Sequence, residues 1–296
     1  MGKLKKEYMG RAVVTVFGLF IILLTVSIGA FLLYQGLGTF TKYNHTVGEF
    51  LLSSKWKPSM DLKGGGQVGA AIFIAGSMAV SFLALVIAMP FSLAASIFMS
   101  EISPRLGKRL LQPAIEIFVG IPSVVYGWVG MTVLAPLVAK VFHLPFGYGL
   151  LSASIVLALM IFPTITTLSA DAIRNVNIAY KEASLGLGST RWQMICRAVL
   201  PSALPGIITG IILGLTRAFG EALAVSMVIG KMQTFPKTIL SSTDTLTAEI
   251  AADMGNAAQG GEFSDALWTM ALLLFLISFV LILLVRIISR KGAKNR

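Results

Sequence analysis

The sequence predicts an all-α fold, a polytopic membrane bundle of six transmembrane helices. Three observations carry this. Hydrophobic residues make up 56% of the 296-residue chain and charged residues 12%, roughly half the charge of a soluble domain. The apolar residues gather into six runs, each reaching the roughly 20 residues that cross a ~30 Å hydrocarbon core. Lys and Arg are also unevenly shared between the connections: sixteen lie at the two termini and in 100–112 and 171–198, against seven in the alternate connections. Lipid admits only helices or closed barrels, and continuous runs of this length are helical.

The first run, Ala12 to Tyr34, follows Lys3, Lys5, Lys6 and Arg11. It is long for the apolar region of a cleaved signal and no Ala-x-Ala site follows, so a retained anchor is expected. In the connection 35–67, Gly64-Gly65-Gly66 reads as a flexible lead into the second span. The second run, Val68 to Phe98, and the fifth, Val199 to Ile229, exceed one crossing. They are expected to tilt, to kink (at Pro90 in the second), or to extend beyond the bilayer. The third, fourth and sixth runs cover Pro113 to Ala139, Gly149 to Ala170 and Ala266 to Val285. Between the last two spans, Thr247 to Ala258 has an amphipathic pattern expected to lie on the membrane surface. The organisation is thus an anchor and outer loop over 1–67, a core of spans over 68–288 and a basic tail over 289–296.

The Lys and Arg bias places both termini and the 171–198 connection on the cytoplasmic side. It accounts for most of the net charge of +11, with anionic lipid as the partner. No aromatic-interleaved basic patch points to nucleic acid. Cys196 is the single cysteine, so neither an internal disulfide nor a thiolate metal cluster is expected. His45 and His143 stand apart from ligand-spaced neighbours and read as surface histidines. No phosphate loop, nucleophile elbow or His-Glu-x-x-His site occurs, so neither catalytic residues, metal nor cofactor are expected. If ATP drives this chain, a separate subunit hydrolyses it.

Three segments carry functional signals. Glu182-Ala183-Ser184-Leu185-Gly186-Leu187-Gly188, with Leu200-Pro201 beyond it, is a polar, turn-bearing loop between two spans. A short helix there could lay an apolar face into a groove of a partner, and Gly188 would supply a sharp turn; the plainer alternative is an ordinary loop with a chance glycine. Arg217 lies inside the fifth run, where an arginine costs about 2.5–3.5 kcal/mol at the bilayer centre. Glu221 is four residues on, on the same helix face and within reach of an ion pair. The two are either a structural pair or a face of a translocation path, with Arg217 binding an anion and Glu221 balancing its charge. In the third run, Pro122 removes a helical hydrogen bond while Gly120 and Gly127 allow close approach, serving a kinked gate or packing alone.

These segments resemble one family. The Glu182 loop is similar to the coupling loop of ABC importer permeases: Gly188 follows Ser184 after three residues, and Ala198-Val199-Leu200-Pro201 closes the pattern nine residues later. Ser184 and Ala198 depart from the family form. Arg217-Ala218-Phe219-Gly220-Glu221-Ala222 and Gly120-Ile121-Pro122-Ser123-Val124-Val125-Tyr126-Gly127 resemble motifs of phosphate-specific permeases, C-type rather than A-type, with departures at Phe219 and Ala222. The resemblance spans about residues 70 to 288. It implies a type I ABC importer permease fold in the bacterial cell membrane, with inorganic phosphate as substrate. It also implies three kinds of partner: a second permease subunit, ATP-binding subunits and an extracytoplasmic phosphate-binding protein. Arg217, Glu221, Ser123 and Tyr126 would line the substrate path, and Glu182, Ala183, Ser184 and Gly188 would meet the ATPase. A permease for another oxyanion or nutrient, or a secondary transporter or channel, are the alternatives.

Overall fold

The computed structural model describes residues 2–61 and 63–294, with side chains over 10–61 and 63–288. The basic side chains of Lys3, Lys5 and Lys6 and those of the tail from 289 onward therefore lie outside the described residues. Helix α1 (Gly2–Gly36) leads into two short helices, α2 (Gly38–Thr41) and α3 (Val47–Leu52), and a two-stranded hairpin, β1 (Trp56–Lys57) with β2 (Gln67–Val68). The second span is α4 (Ala71–Ile97), followed by the single turn α5 (Pro104–Leu106). The third run is divided among α6 (Gln112–Gly120), α7 (Ser123–Val129) and α8 (Ala135–Val141). Then come α9 (Leu150–Arg174), α10 (Ile178–Gly186) and α11 (Arg191–Met194). The chain finishes with α12 (Leu200–Gly220), α13 (Leu223–Val228), α14 (Leu246–Asp253) and α15 (Glu262–Lys294). A wide π-type turn extends α4 to Ile102, where Ser103 breaks it (φ −142°), and further π-type turns at Gly107–Leu111, Gly130–Leu134 and Ile195–Val199 carry helices through without a break.

Six of the resulting helices are long and apolar enough to cross a membrane, and they fall on the six apolar runs. Helix α9 is central, with 67% of its most apolar window buried, whereas that of α1 is 0% buried. Serines join α9 to α4: Ser92 Oγ donates to the Phe162 carbonyl (3.3 Å), Ser154 Oγ to Val80 (3.2 Å) and Ser100 Oγ to Ala170 (3.1 Å). On the other side, Gly206, Gly210 and Gly214 of α12 form a ladder at every fourth residue. A Cβ at these positions would lie 2.5 Å from Ala172 Cβ, 3.0 Å from Leu168 Cβ and 2.7 Å from Ile165 Cγ1. Small residues let helix backbones approach where lipid supplies no hydrophobic drive between them.

Four expectations are corrected. The third run is not one kinked helix: Ile121 is extended (ψ 126°) and α6 ends there. Gly127 is a packing glycine, since a Cβ would meet Met227 Sδ at 2.7 Å and Ala224 Cα at 2.9 Å, whereas Gly120 has open space. The Gly64-Gly65-Gly66 stretch is a fixed turn, because the N–H groups of Gly65 and Gly66 donate to the buried Glu262 carboxylate at 3.0 and 2.8 Å, with Ser59 N–H at 2.7 Å. His45 is no loose surface histidine either. Its ring bonds Glu262 through Nε2 (2.8 Å) and Glu49 through Nδ1 (3.1 Å), tying α3 to the start of α15. Nor does the Thr247 region lie on the membrane surface: α14 buries Leu246, Thr247, Ala248 and Glu249 among the spans.

Candidate translocation path and coupling helix

Arg217 stands one turn before the end of α12, exposed on the face of the single chain. Its Nη1 donates to Thr164 Oγ1 of α9 at 3.2 Å, and among the described residues it forms no ion pair. Glu221 is not its partner. The helix stops at Gly220, Glu221 turns extended (ψ 117°), and the side chain folds forward so that Oε1 accepts from Ala224 N–H at 3.2 Å. The expected i,i+4 pair fails because the helix that would have aligned the two residues ends between them.

Two broken helices therefore meet: α7 packs against α13, placing the Ile121–Pro122 break near the Glu221 break. Ser123 is half-buried at the start of α7. The Tyr126 ring is buried and its hydroxyl donates to the Phe118 carbonyl at 2.8 Å. That bond bridges the α6–α7 break, so Tyr126 splints the break.

A feature with no counterpart among the sequence expectations runs along α9 from beside Arg217 toward α10. Thr164, Thr167, Asp171 and Arg174 recur at three- and four-residue spacing, so they share one face of α9. Thr167, Asp171 and Arg174 are exposed although α9 is otherwise the most buried span. The last three line a cavity of about 320 Å³ with Gln112 and Glu116 of α6. Asp171 and Arg174 approach to 3.7 Å. Polar residues at helical spacing on an apolar span were the available signal.

In the connection between α9 and α11, α10 carries Glu182, Ala183 and Ser184, and none of its residues is buried. Asn177 caps it by accepting from Ala179 N–H at 3.0 Å. Gly188 has φ +81°, the left-handed turn expected of it. Ser184 closes that turn: its hydroxyl bonds Ser189 Oγ (2.8 Å), which also donates to the Ser184 carbonyl (2.8 Å). Ile178 (68% exposed), Leu187 (89%) and Trp192 (60%) present apolar surface here. Lys181 pairs with Glu101, and Arg191 Nη2 donates to the Glu101 carbonyl at 3.3 Å, binding this hairpin to the turn that extends α4.

Residues 92–294 match the family model described as binding-protein-dependent transport system inner membrane component. The chain is 44% identical to the probable ABC transporter permease protein YqgH of Bacillus subtilis, over 96% of this chain and 91% of that one. It is 33% identical to the phosphate transport system permease protein PstC of Pasteurella multocida, over 97% and 94% respectively. Among solved structures, inward-facing MetNI methionine ABC transporter aligns with a TM-score of 0.53 at 18% identity, covering 74% of this chain and 91% of that chain. The six-helix arrangement is thus the type I importer permease fold.

Proposed function

The chain belongs to the binding-protein-dependent transport system inner membrane component family, and from that premise we propose that it is the transmembrane permease subunit of an ATP-driven importer of inorganic phosphate. The observation that carries this is Arg217: a cation in a spanning helix, held by a threonine instead of a carboxylate and exposed on the single chain. A structural arginine would have a buried counter-ion, whereas one held by a neutral hydroxyl keeps its charge for an arriving anion. The relatives named as phosphate transport permeases support the same substrate. The face of α9 from Thr164 to Arg174 gives the anion a polar way inward.

In this reading a second permease subunit covers the exposed Arg217 face, two ATPase subunits dock on α10, and an extracytoplasmic phosphate-binding protein docks at the opposite end. Both termini are cytoplasmic. ATP binding closes the ATPases, α10 transmits the motion, and the path opens alternately to the two sides. The permease itself performs no covalent chemistry.

The test is uptake of labelled phosphate by cells in which this complex is the sole phosphate importer. Arg217→Gln should lower uptake by about 10- to 100-fold at equal complex abundance, the cost of a charge-assisted bond lost from a desolvated anion. Glu221→Gln should be milder, since an amide oxygen still accepts from Ala224 N–H. Uptake by Arg217→Gln at the parental rate would rule out Arg217 as the anion contact; competition by sulfate equal to that by phosphate would move the reading to a general oxyanion permease.

A further inference from the structure

We infer that α14 is the brace that sets the α12–α13 break, and that Thr247 is the positioning residue through which it holds the path. The inference rests on the reading of Arg217 as a path residue. A helix that stops inside a membrane protein releases carbonyls that need new donors. At this break, Thr247 Oγ1 donates to the Glu221 carbonyl at 2.9 Å. Glu221 is the residue at which the backbone turns from helical to extended, four positions after Arg217. The bond therefore fixes where the helix ends and how its last turn, carrying Arg217, is aimed.

A brace must itself be fixed, and α14 is held on several sides. Thr245 caps it by accepting from Ala248 N–H at 3.3 Å. Ser77 Oγ on α4 accepts from Leu246 N–H at 3.0 Å. Gly76 lets the Asp244 carbonyl lie so close that a Cβ there would sit 1.9 Å from it. Thr247 is 6% exposed, and it shares with Ser77, Ser81, Glu221 and Thr245 the lining of a narrow cleft between α4, α12 and α14. The break is thus referenced to α4 through one hydroxyl, and α14 belongs to the connection at the end of the molecule opposite α10.

The assembled transporter tests this with Thr247→Val, which keeps the shape and removes the donor, and Thr247→Ser, which restores it. Thr247→Val should raise the KM for phosphate uptake by about tenfold, the worth of one buried hydrogen bond, with kcat changed far less; Thr247→Ser should lie near the parent. The structural readout is a cysteine at Leu223, exposed just past the break, in a Cys196→Ser background. Its maleimide labelling rate in proteoliposomes should shift with Thr247→Val and return with Thr247→Ser. If Thr247→Val lowers assembly, Thr247→Ala compared at equal complex gives the same two readouts. Unchanged KM and labelling in the donor-less variant, while Arg217→Gln abolishes uptake, would overturn the brace alone. A labelling shift alongside normal uptake by Arg217→Gln would keep the brace and overturn the path reading beneath it.

Discussion

Single residues set the behaviour of the end of the molecule opposite α10, and two of them make it sensitive to pH. Burial opposes a charge on His45, but its bonds to Glu262 and Glu49 outweigh that and raise its pKa above the usual value. A raised histidine pKa contributes stability that is fully present below about 6.5, and that is lost as pH rises through the folded value. Glu249 of α14 is 3% exposed, and burial, then the neighbouring Asp244, pushes its carboxyl up to about 8. Lys231, Asp253, Gln233 and Trp56 complete its charged and polar surroundings. Here the folded chain keeps a proton that the unfolded chain has released, so stability falls as pH rises from about 4.5 to about 8. The two groups therefore act in the same direction, and variants separate them. The thermal midpoint of the purified protein should drop by a few degrees between pH 6 and 8. His45→Gln and Glu249→Gln should each remove part of that drop, and the double variant most of it. A midpoint equally pH-dependent in the double variant would assign the effect elsewhere.

Among elements, the α9–α12 contact decides whether Arg217 reaches Thr164. Its glycine ladder leaves no room for a side chain, because Ala172 Cβ, Leu168 Cβ and Ile165 Cγ1 occupy the space a Cβ would need. Gly206→Val should cost about 1–3 kcal/mol by overpacking, read as a lowered thermal midpoint. Gly220→Ala, where open space surrounds the position, serves as control; equal midpoints would show that α12 does not depend on this contact. The spans themselves were legible in the sequence because an apolar run of the right length has few other uses. The breaks were less so. Pro122 announced a kink but not a full stop, and nothing in Arg217 to Glu221 distinguishes a helix that ends at Gly220 from one that continues. Thr247 was read as surface because its neighbours alternate polar and apolar. It is buried because α4, α13 and α15 close around α14, and no local pattern records that. Gly188 and the α10 helix were legible because a turn and its cap are local.

For the whole molecule, the question is how an event at one end reaches the path. Helix α1 is an unpromising route, since its main packing partner among the described residues is α15, where Gly29 and Gly36 admit Phe275 and Leu272. Helix α10 is better placed. It follows directly on α9, which carries Thr164, and precedes the continuous helix Arg191–Gly220, which carries Arg217. Glu101 ties it to the third central span, α4, through Lys181 and Arg191. A push on α10 thus acts at once on the three helices that frame the proposed path. Gly188 is the hinge of this hairpin, and at φ +81° a branched side chain is strained even though open space surrounds it, at a cost of about 1–2 kcal/mol. Gly188→Val should leave the subunit inserted and abundant, with ATP hydrolysis continuing while phosphate uptake falls. Gly188→Asn, which tolerates the left-handed turn, should retain both. Glu182→Lys, which reverses a charge on the exposed face of α10, should uncouple without touching the turn. A cysteine at Leu187 should react with membrane-impermeant maleimide in inverted vesicles and be shielded when the ATPase is bound. Parental uptake in both Gly188→Val and Glu182→Lys, or labelling of Leu187→Cys in intact cells, would remove α10 as the ATPase contact.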